Sequence, residues 1–194
     1  HVPAIIHAWF PSEFGGQAIA EALFGDYNPG GRLAVTFPKS VGQIPFAFPF
    51  KPGSDESSET SVYGALYPFG HGLSYTTFQY SDLAISPSKQ GVQGNISISC
   101  TIKNIGQREG DEVVQLYLRD EVSSVTTYTQ VLRGFERITL KPEASHTVHF
   151  ELTPQELGIW DKQMNFTVEP GMFKVMIGSS SKDIRLKGEF EIAQ

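Results

Sequence analysis

Acid–base chemistry at a carboxyl pair needs two acids held close together in unlike surroundings, so that one is ionised while the other keeps a proton. Glu13 and Asp26 are the first candidates. Glu13 follows Pro11-Ser12 at the start of an expected helix, and Asp26 lies in the turn Gly25-Asp26-Tyr27-Asn28-Pro29-Gly30-Gly31. Each also has a plain structural role: an acid in a first turn interacts favourably with a helix N-terminus, and an Asp in a Gly-rich turn bonds its own backbone. Those are the roles expected of both. Asp55, Glu56 and Glu59 form a second group, in the polar stretch Gly53-Ser54-Asp55-Glu56-Ser57-Ser58-Glu59-Thr60. A long loop can carry acids toward a cleft, although acidic Ser-rich stretches are ordinarily just solvated.

Other reactive types point away from chemistry. The 5 histidines show no metal-ligand spacing, and His146 and His149 would face opposite sides of one strand. Cys100 is the single cysteine and alternates with Ile98 and Ile102, the pattern of a buried packing position. There is no Gly-rich phosphate loop, nucleophile elbow or Cys/His pair, so neither cofactor nor metal is expected. Two sequons, Asn95-Ile96-Ser97 and Asn165-Phe166-Thr167, permit glycosylation only in a suitable secretory host. A formal charge of −6 with 15 scattered Lys and Arg argues against a nucleic-acid surface. No apolar run reaches the roughly 20 residues of a spanning helix, so no membrane partner is expected.

The elements that must position these residues fall into three stretches. Ala4-Ile5-Ile6-His7-Ala8-Trp9 reads as a short strand, with Ser12 available to cap a following helix. Phe14, Ala18 and Ala22, with Ile19 and Leu23 beside them, make one apolar helical face that Gly25 ends. Leu33-Ala34-Val35-Thr36-Phe37 reads as a second strand. Strand, helix and strand form an α/β fragment too small to bury both faces of a sheet, which predicts a larger α/β domain around residues 1–45. The chain opens without Met inside an expected strand, as a portion of a longer protein would.

Residues 46–77 read as a long loop and interdomain linker, rich in Pro, Gly, Ser and Phe. From 78 to 194 the texture becomes β. Ile96, Ile98, Cys100 and Ile102 alternate, as do Val114, Leu116 and Leu118, then Val148, Phe150 and Leu152, then Phe173, Val175 and Ile177. Turns at Asn104-Ile105-Gly106, Lys141-Pro142-Glu143 and Glu169-Pro170-Gly171 separate them. About seven short strands without helices predict an antiparallel β-sandwich of immunoglobulin-like or fibronectin type III-like design.

Four ordered motifs carry a resemblance. They are Ala8-Trp9-Phe10-Pro11 with Gly15-Gly16-Gln17-Ala18-Ile19-Ala20; Leu23-Phe24-Gly25-Asp26-Tyr27-Asn28-Pro29-Gly30-Gly31-Arg32-Leu33; Tyr67-Pro68-Phe69-Gly70-His71-Gly72-Leu73-Ser74-Tyr75-Thr76-Thr77-Phe78; and Gly110-Asp111-Glu112-Val113-Val114-Gln115-Leu116-Tyr117-Leu118 with Leu132-Arg133-Gly134-Phe135. Together they resemble the C-terminal part of family 3 glycoside hydrolases of the β-glucosidase type: the end of an α/β sandwich domain joined to a fibronectin type III-like domain. The glycines and Asn permit positive φ and close approach, so the second and third motifs read as an interdomain clasp, with Arg32 as an anchor.

The resemblance implies an exo-acting enzyme that removes terminal β-linked glucose with retention, or a β-xylosidase of the same family. It implies a nucleophilic Asp in an upstream barrel and an acid/base Glu in the upstream part of the α/β domain, so no catalytic residue is expected in this chain. The expected partners are those upstream domains, an oligosaccharide reached through the intact enzyme, and a second copy of the enzyme through the Ser/Thr-rich insertion at 119–130. Export to the periplasm or outside the cell is implied too. Trp9 could stack on a sugar ring, its other role being core packing, and with Asp55, Glu56 and Glu59 it makes the candidate substrate-cleft group. A carbohydrate-binding or protein-interaction sandwich is the alternative function; its platform would draw on Tyr117, Tyr128 and Trp160.

Overall fold

Strand β5 (Ile96–Asn104) shows why the β texture folds as it does: Ile96, Ile98, Cys100 and Ile102 are wholly buried, while the residues between them face outward. A computed structural model describes residues 2–54 and 63–194. In chain order its other elements are α1 (Gly15–Phe24), β1 (Phe37–Pro38), a 3-10 turn (Val41–Gln43), β2 (Ala65–Tyr67), β3 (Phe78–Ser86) and β4 (Lys89–Gly91). After β5 come β6 (Gly110–Asp120), β7 (Val131–Leu140), β8 (Ser145–Leu152), α2 (Pro154–Leu157), β9 (Ile159–Trp160), β10 (Phe166–Thr167), β11 (Gly171–Gly178) and β12 (Ile184–Ala193).

A five-stranded sheet in the order β4-β12-β11-β6-β7 faces a three-stranded sheet, β3-β5-β8. Between them Val114, Leu116, Val175 and Ile177 meet Ile98, Ile102 and Val148, and Phe173 stacks on Phe190 at 5.4 Å. Fully burying each of these side chains contributes about 1.5–3 kcal/mol, so this core dominates the stability of the chain. The fold is the expected α/β piece followed by a β-sandwich, with two differences in the sandwich. Strand β4 pairs with β12 in parallel, so the larger sheet is not wholly antiparallel. A one-turn helix, α2, also interrupts the strands, held by a capping box in which Thr153 and Glu156 bond each other's backbone.

The N-terminal piece departs further from expectation. Ala4–Trp9 joins no ladder, because no strand lies beside it among the described residues, and Trp9 takes a positive φ of 51°. Of Leu33–Phe37 only Phe37 pairs, with Tyr67. Leu33 instead exchanges backbone bonds with Gly70 and His71, which lock it to the linker. Ser12 does not cap α1: the helix starts at Gly15, and Phe14, at the cap position, has no side-chain bond to offer. Gly25 ends the helix as expected, at φ 82°. Of the apolar face, Ala22 is buried, whereas Phe14 and Leu23 stay exposed, as does Phe24 at the helix end.

Candidate functional site

The turn after α1 is built to grip strand β6. Asn28 accepts from the Ser74 hydroxyl (3.1 Å) and the Tyr75 amide (2.8 Å), and donates to the Glu109 carbonyl (3.1 Å). Tyr75 reaches back to the Ala22 carbonyl (2.7 Å), so helix, turn and linker close on one another. Arg108 donates to the Gly25 carbonyl (2.5 Å) and lies over the Tyr75 ring. A Cβ on Gly30 would stand 2.5 Å from that of Asp111, which is why the turn needs glycine there.

Arg32 crosses the junction to Glu112 at 2.8 Å, both side chains being buried (8% and 5% exposed). Arg32 also donates to the Gly30 and Gly31 carbonyls, and Glu112 accepts from the Val113 amide. Burial pushes the Glu112 carboxyl above the ordinary glutamate range, with Arg32 pulling against that shift. Beside this pair, Asp111 takes bonds from Thr139 (2.6 Å) and from Arg137, which also donates to the Tyr27 hydroxyl. Burial would raise Asp111, but the Thr139 and Arg137 bonds hold its carboxyl below the usual range.

The linker covers the outer face of the larger sheet. Phe48 stacks on Phe69 at 4.7 Å and meets Tyr117 edge-on at 5.7 Å. Tyr117 is therefore wholly buried and donates to Gln115, whose amide donates to the Gly70 and Ser179 carbonyls. Sequence reasoning missed this docking of residues 46–50. The signal was the period-two series Phe46, Phe48, Phe50, matched by Gln115 and Tyr117 on the outward positions of a strand whose inward positions are already apolar.

The candidate cleft residues are not brought together. Trp9 is 57% exposed, its ring packed edge-on against His7, which in turn meets Phe37. Asp55, Glu56 and Glu59 lie outside the described residues. Glu13 and Asp26 are both exposed, on opposite sides of α1 in sequence, and Asp26 lines a recess of about 470 Å³ with Tyr27 and Arg108. His146 and His149 are exposed on β8, and Cys100 is buried, with its thiol pushed up to about 11 by that burial. Of the platform candidates, Tyr128 and Trp160 are exposed, and Trp160 packs against Phe166 across the β9–β10 hairpin. What the geometry builds most completely is a joint between two structural units.

The comparisons agree with that architecture. Residues 1–75 match the glycosyl hydrolase family 3 C-terminal domain, and residues 112–181 match a fibronectin type III-like domain. A periplasmic β-glucosidase of Salmonella typhimurium is 43% identical over 97% of this chain, and a β-xylosidase of Formosa agariphila 41% identical over 96%. The chain spans 26% of the length of each. The crystal structure of a Listeria innocua β-glucosidase in complex with glucose superposes with a TM-score of 0.89 at 30% identity, covering 96% of this chain and 27% of that one. With both matched domains in this order and the clasp motifs joining them, the chain belongs to glycosyl hydrolase family 3, as its C-terminal part.

Proposed function

We propose that this chain is the noncatalytic C-terminal scaffold of an exo-acting retaining β-glucosidase that removes terminal non-reducing β-D-glucosyl residues from oligosaccharides. The observation that carries the reading is the joint itself: the Arg32–Glu112 pair, the Asn28 bonds and the Phe48–Tyr117 contact fix the α/β piece on the sandwich. A scaffold of this kind holds a substrate cleft in shape from one side while other domains supply the acids. We divide the chain as 1–45, 46–77 and 78–194. The exposed Leu23 and Phe24 at the end of α1, with Phe14 at its start, are the seat for the upstream part of the α/β domain. Trp9 and the acids Asp55, Glu56 and Glu59 belong to the rim of the cleft, and the parent enzyme works in the periplasm or outside the cell.

A second reading, a β-xylosidase parent, draws on the 41% identity to the Formosa agariphila enzyme. The test is to assay the parent enzyme and the 194-residue chain on aryl β-glucoside and aryl β-xyloside. The scaffold reading expects turnover by the parent alone, with the preferred glycoside naming the sugar. Hydrolysis by the 194-residue chain would refute it.

A further inference from the structure

The recess of about 470 Å³ between the turn after α1 and the turn joining β5 to β6 has the size of a small-molecule site, about 300–1,000 Å³. Its walls are fixed from behind. Asn104, wholly buried at the end of β5, donates to the Arg108 and Leu140 carbonyls (2.7 and 2.8 Å) and accepts from the Gly106 amide (3.0 Å). These bonds set the shape of the turn over 105–109. Asn28 and Arg108 then bridge the two turns, donating to the Glu109 carbonyl (3.1 Å) and the Gly25 carbonyl (2.5 Å). At the base Gly110 lets the turns close on each other, since a Cβ there would run into the Asn28 side-chain amide. Side chains carried on such walls need little ordering when a ligand arrives.

What the walls present is polar and uncommitted. The side chains of Asp26, Gln107 and Glu109 line the recess, are exposed, and make no hydrogen bond or ion pair among the described residues. Two acceptor-only carboxylates and an amide that both donates and accepts suit a ligand rich in hydroxyl groups, which donate and accept in turn. Tyr27, 45% exposed, adds an aromatic face, and its place is set because its hydroxyl accepts from Arg137 (3.2 Å). An aromatic face beside planar polar groups is the combination that takes a pyranose, with its apolar C–H face and its rim of hydroxyls. Other ligand classes fit worse. No aliphatic side chain lines the recess, so an apolar ligand gains little there, and the unpaired carboxylates repel an anion. Asp111, at the base, is committed to Thr139 and Arg137. No group of three or more acids, histidines or cysteines among the described residues could hold a metal ion.

We propose that this recess binds a neutral oligosaccharide, with one sugar ring against Tyr27 and its hydroxyl groups bonded by Asp26, Gln107 and Glu109. The chain then holds glycan itself, in addition to the domains it joins, and this role requires no catalytic acid.

The test is a titration of the nitrogen-15-labelled 194-residue chain with cellotetraose and with xylotetraose, followed by the amide shifts of residues 25–28 and 107–110, with trilysine and trigalacturonate as charged controls. Saturable shifts in both segments with at least one neutral probe are expected. The double variant Asp26→Ala/Gln107→Ala should weaken that binding about tenfold or more. Neither side chain is bonded in the free protein, so amide shifts elsewhere in the variant should match the wild type. No saturable shift in these segments with either neutral probe, shifts confined to the Trp160 hairpin, an equal response to trilysine or trigalacturonate, or a double variant that binds as tightly as the wild type each overturns the proposal. The shifts report binding without hydrolysis, so failure here leaves the aryl-glycoside assays, and the scaffold reading they test, untouched.

Discussion

Arg32 and Glu112 meet where neither is wetted, and that makes the pair asymmetric in its consequences. Removing one partner leaves a buried charge uncompensated, at a cost of about 3–5 kcal/mol, whereas replacing both by uncharged side chains of similar size is close to neutral. Arg32→Met is therefore expected to lower the melting temperature by roughly 10 °C or more in a chain of this size, and Arg32→Met/Glu112→Gln to recover most of that. Thermal unfolding followed by circular dichroism decides it; a single variant that melts with the wild type would mean the pair does not hold the joint. Asp111, its neighbour in sequence, makes a pH prediction. Its folded carboxyl titrates below the ordinary aspartate value, so its contribution is present above that value and is lost as pH falls through the folded one. Wild type should exceed Asp111→Asn in stability by about 1 kcal/mol near neutral pH, the gap closing as pH falls below the ordinary aspartate value. Glu112 runs the other way: its raised carboxyl stabilises most at low pH and less as pH rises through the folded value. It is present in both proteins, so it cancels in the comparison.

At the scale of elements, the docking of the linker on β6 turns on Gly70. This residue has a φ of 80°, and a Cβ there would stand 2.1 Å from the Gln115 side-chain oxygen. Gly53 has nearly the same φ, 79°, with nothing within 4 Å among the described residues. The two therefore share backbone strain and differ in contact, so Gly70→Ala should cost about 2–3 kcal/mol and Gly53→Ala about 1 kcal/mol. Equal losses in thermal melts would show that the Gly70–Gln115 contact is dispensable. The same elements show what was legible in the sequence. Strands β5, β8 and β11 could be read because each buries mainly one face, and burial writes itself as period two; β6 could be read because its inward residues are apolar, although its outer face is covered as well. Ala4–Trp9 and Leu33–Phe37 carry apolar runs that look like strands, but a strand also needs a neighbour, which local pattern cannot reveal. Helix α2 was missed although Thr153-Pro154-Gln155-Glu156 spells a capping box, because one turn is too short to show a helical period. The clasp was legible in outline from its glycines and Arg32. Its partners Gln115 and Tyr117 were hidden on the outward positions of a strand whose pattern reported only the core side, and Glu112, in phase with Val114 on the core side, gave no sign that Arg32 would meet it. The carboxylates singled out as candidate chemistry gained no common site, since nothing in their spacing required one.

For the whole molecule, the distribution of apolar surface is the most informative property. The sandwich buries the large residues of its inward faces, and the linker covers Tyr117 on the outer face, while Phe135, Trp160 and Met164 stay exposed at separate places along the chain. Helix α1 behaves differently, with Phe14 67%, Leu23 64% and Phe24 84% exposed, and Phe10 beside them at 99%. A scattered exposed leucine is ordinary, but four large apolar side chains exposed within fifteen residues are an unusual local density of the kind found at interaction surfaces. If they are the seat of the upstream α/β domain, the same side chains must have opposite effects in two contexts. In the 194-residue chain, Leu23→Ser with Phe24→Glu should reduce binding of the dye ANS several-fold and suppress concentration-dependent self-association in sedimentation velocity. The melting temperature should barely move, since the removed side chains are already in water. In the parent enzyme the identical pair of substitutions would strip buried surface and strand a carboxylate in an apolar interface, lowering the temperature of inactivation by several degrees. A parent enzyme indifferent to both substitutions would mean that α1 faces solvent there too, and that the upstream domain is joined to this chain through some other surface.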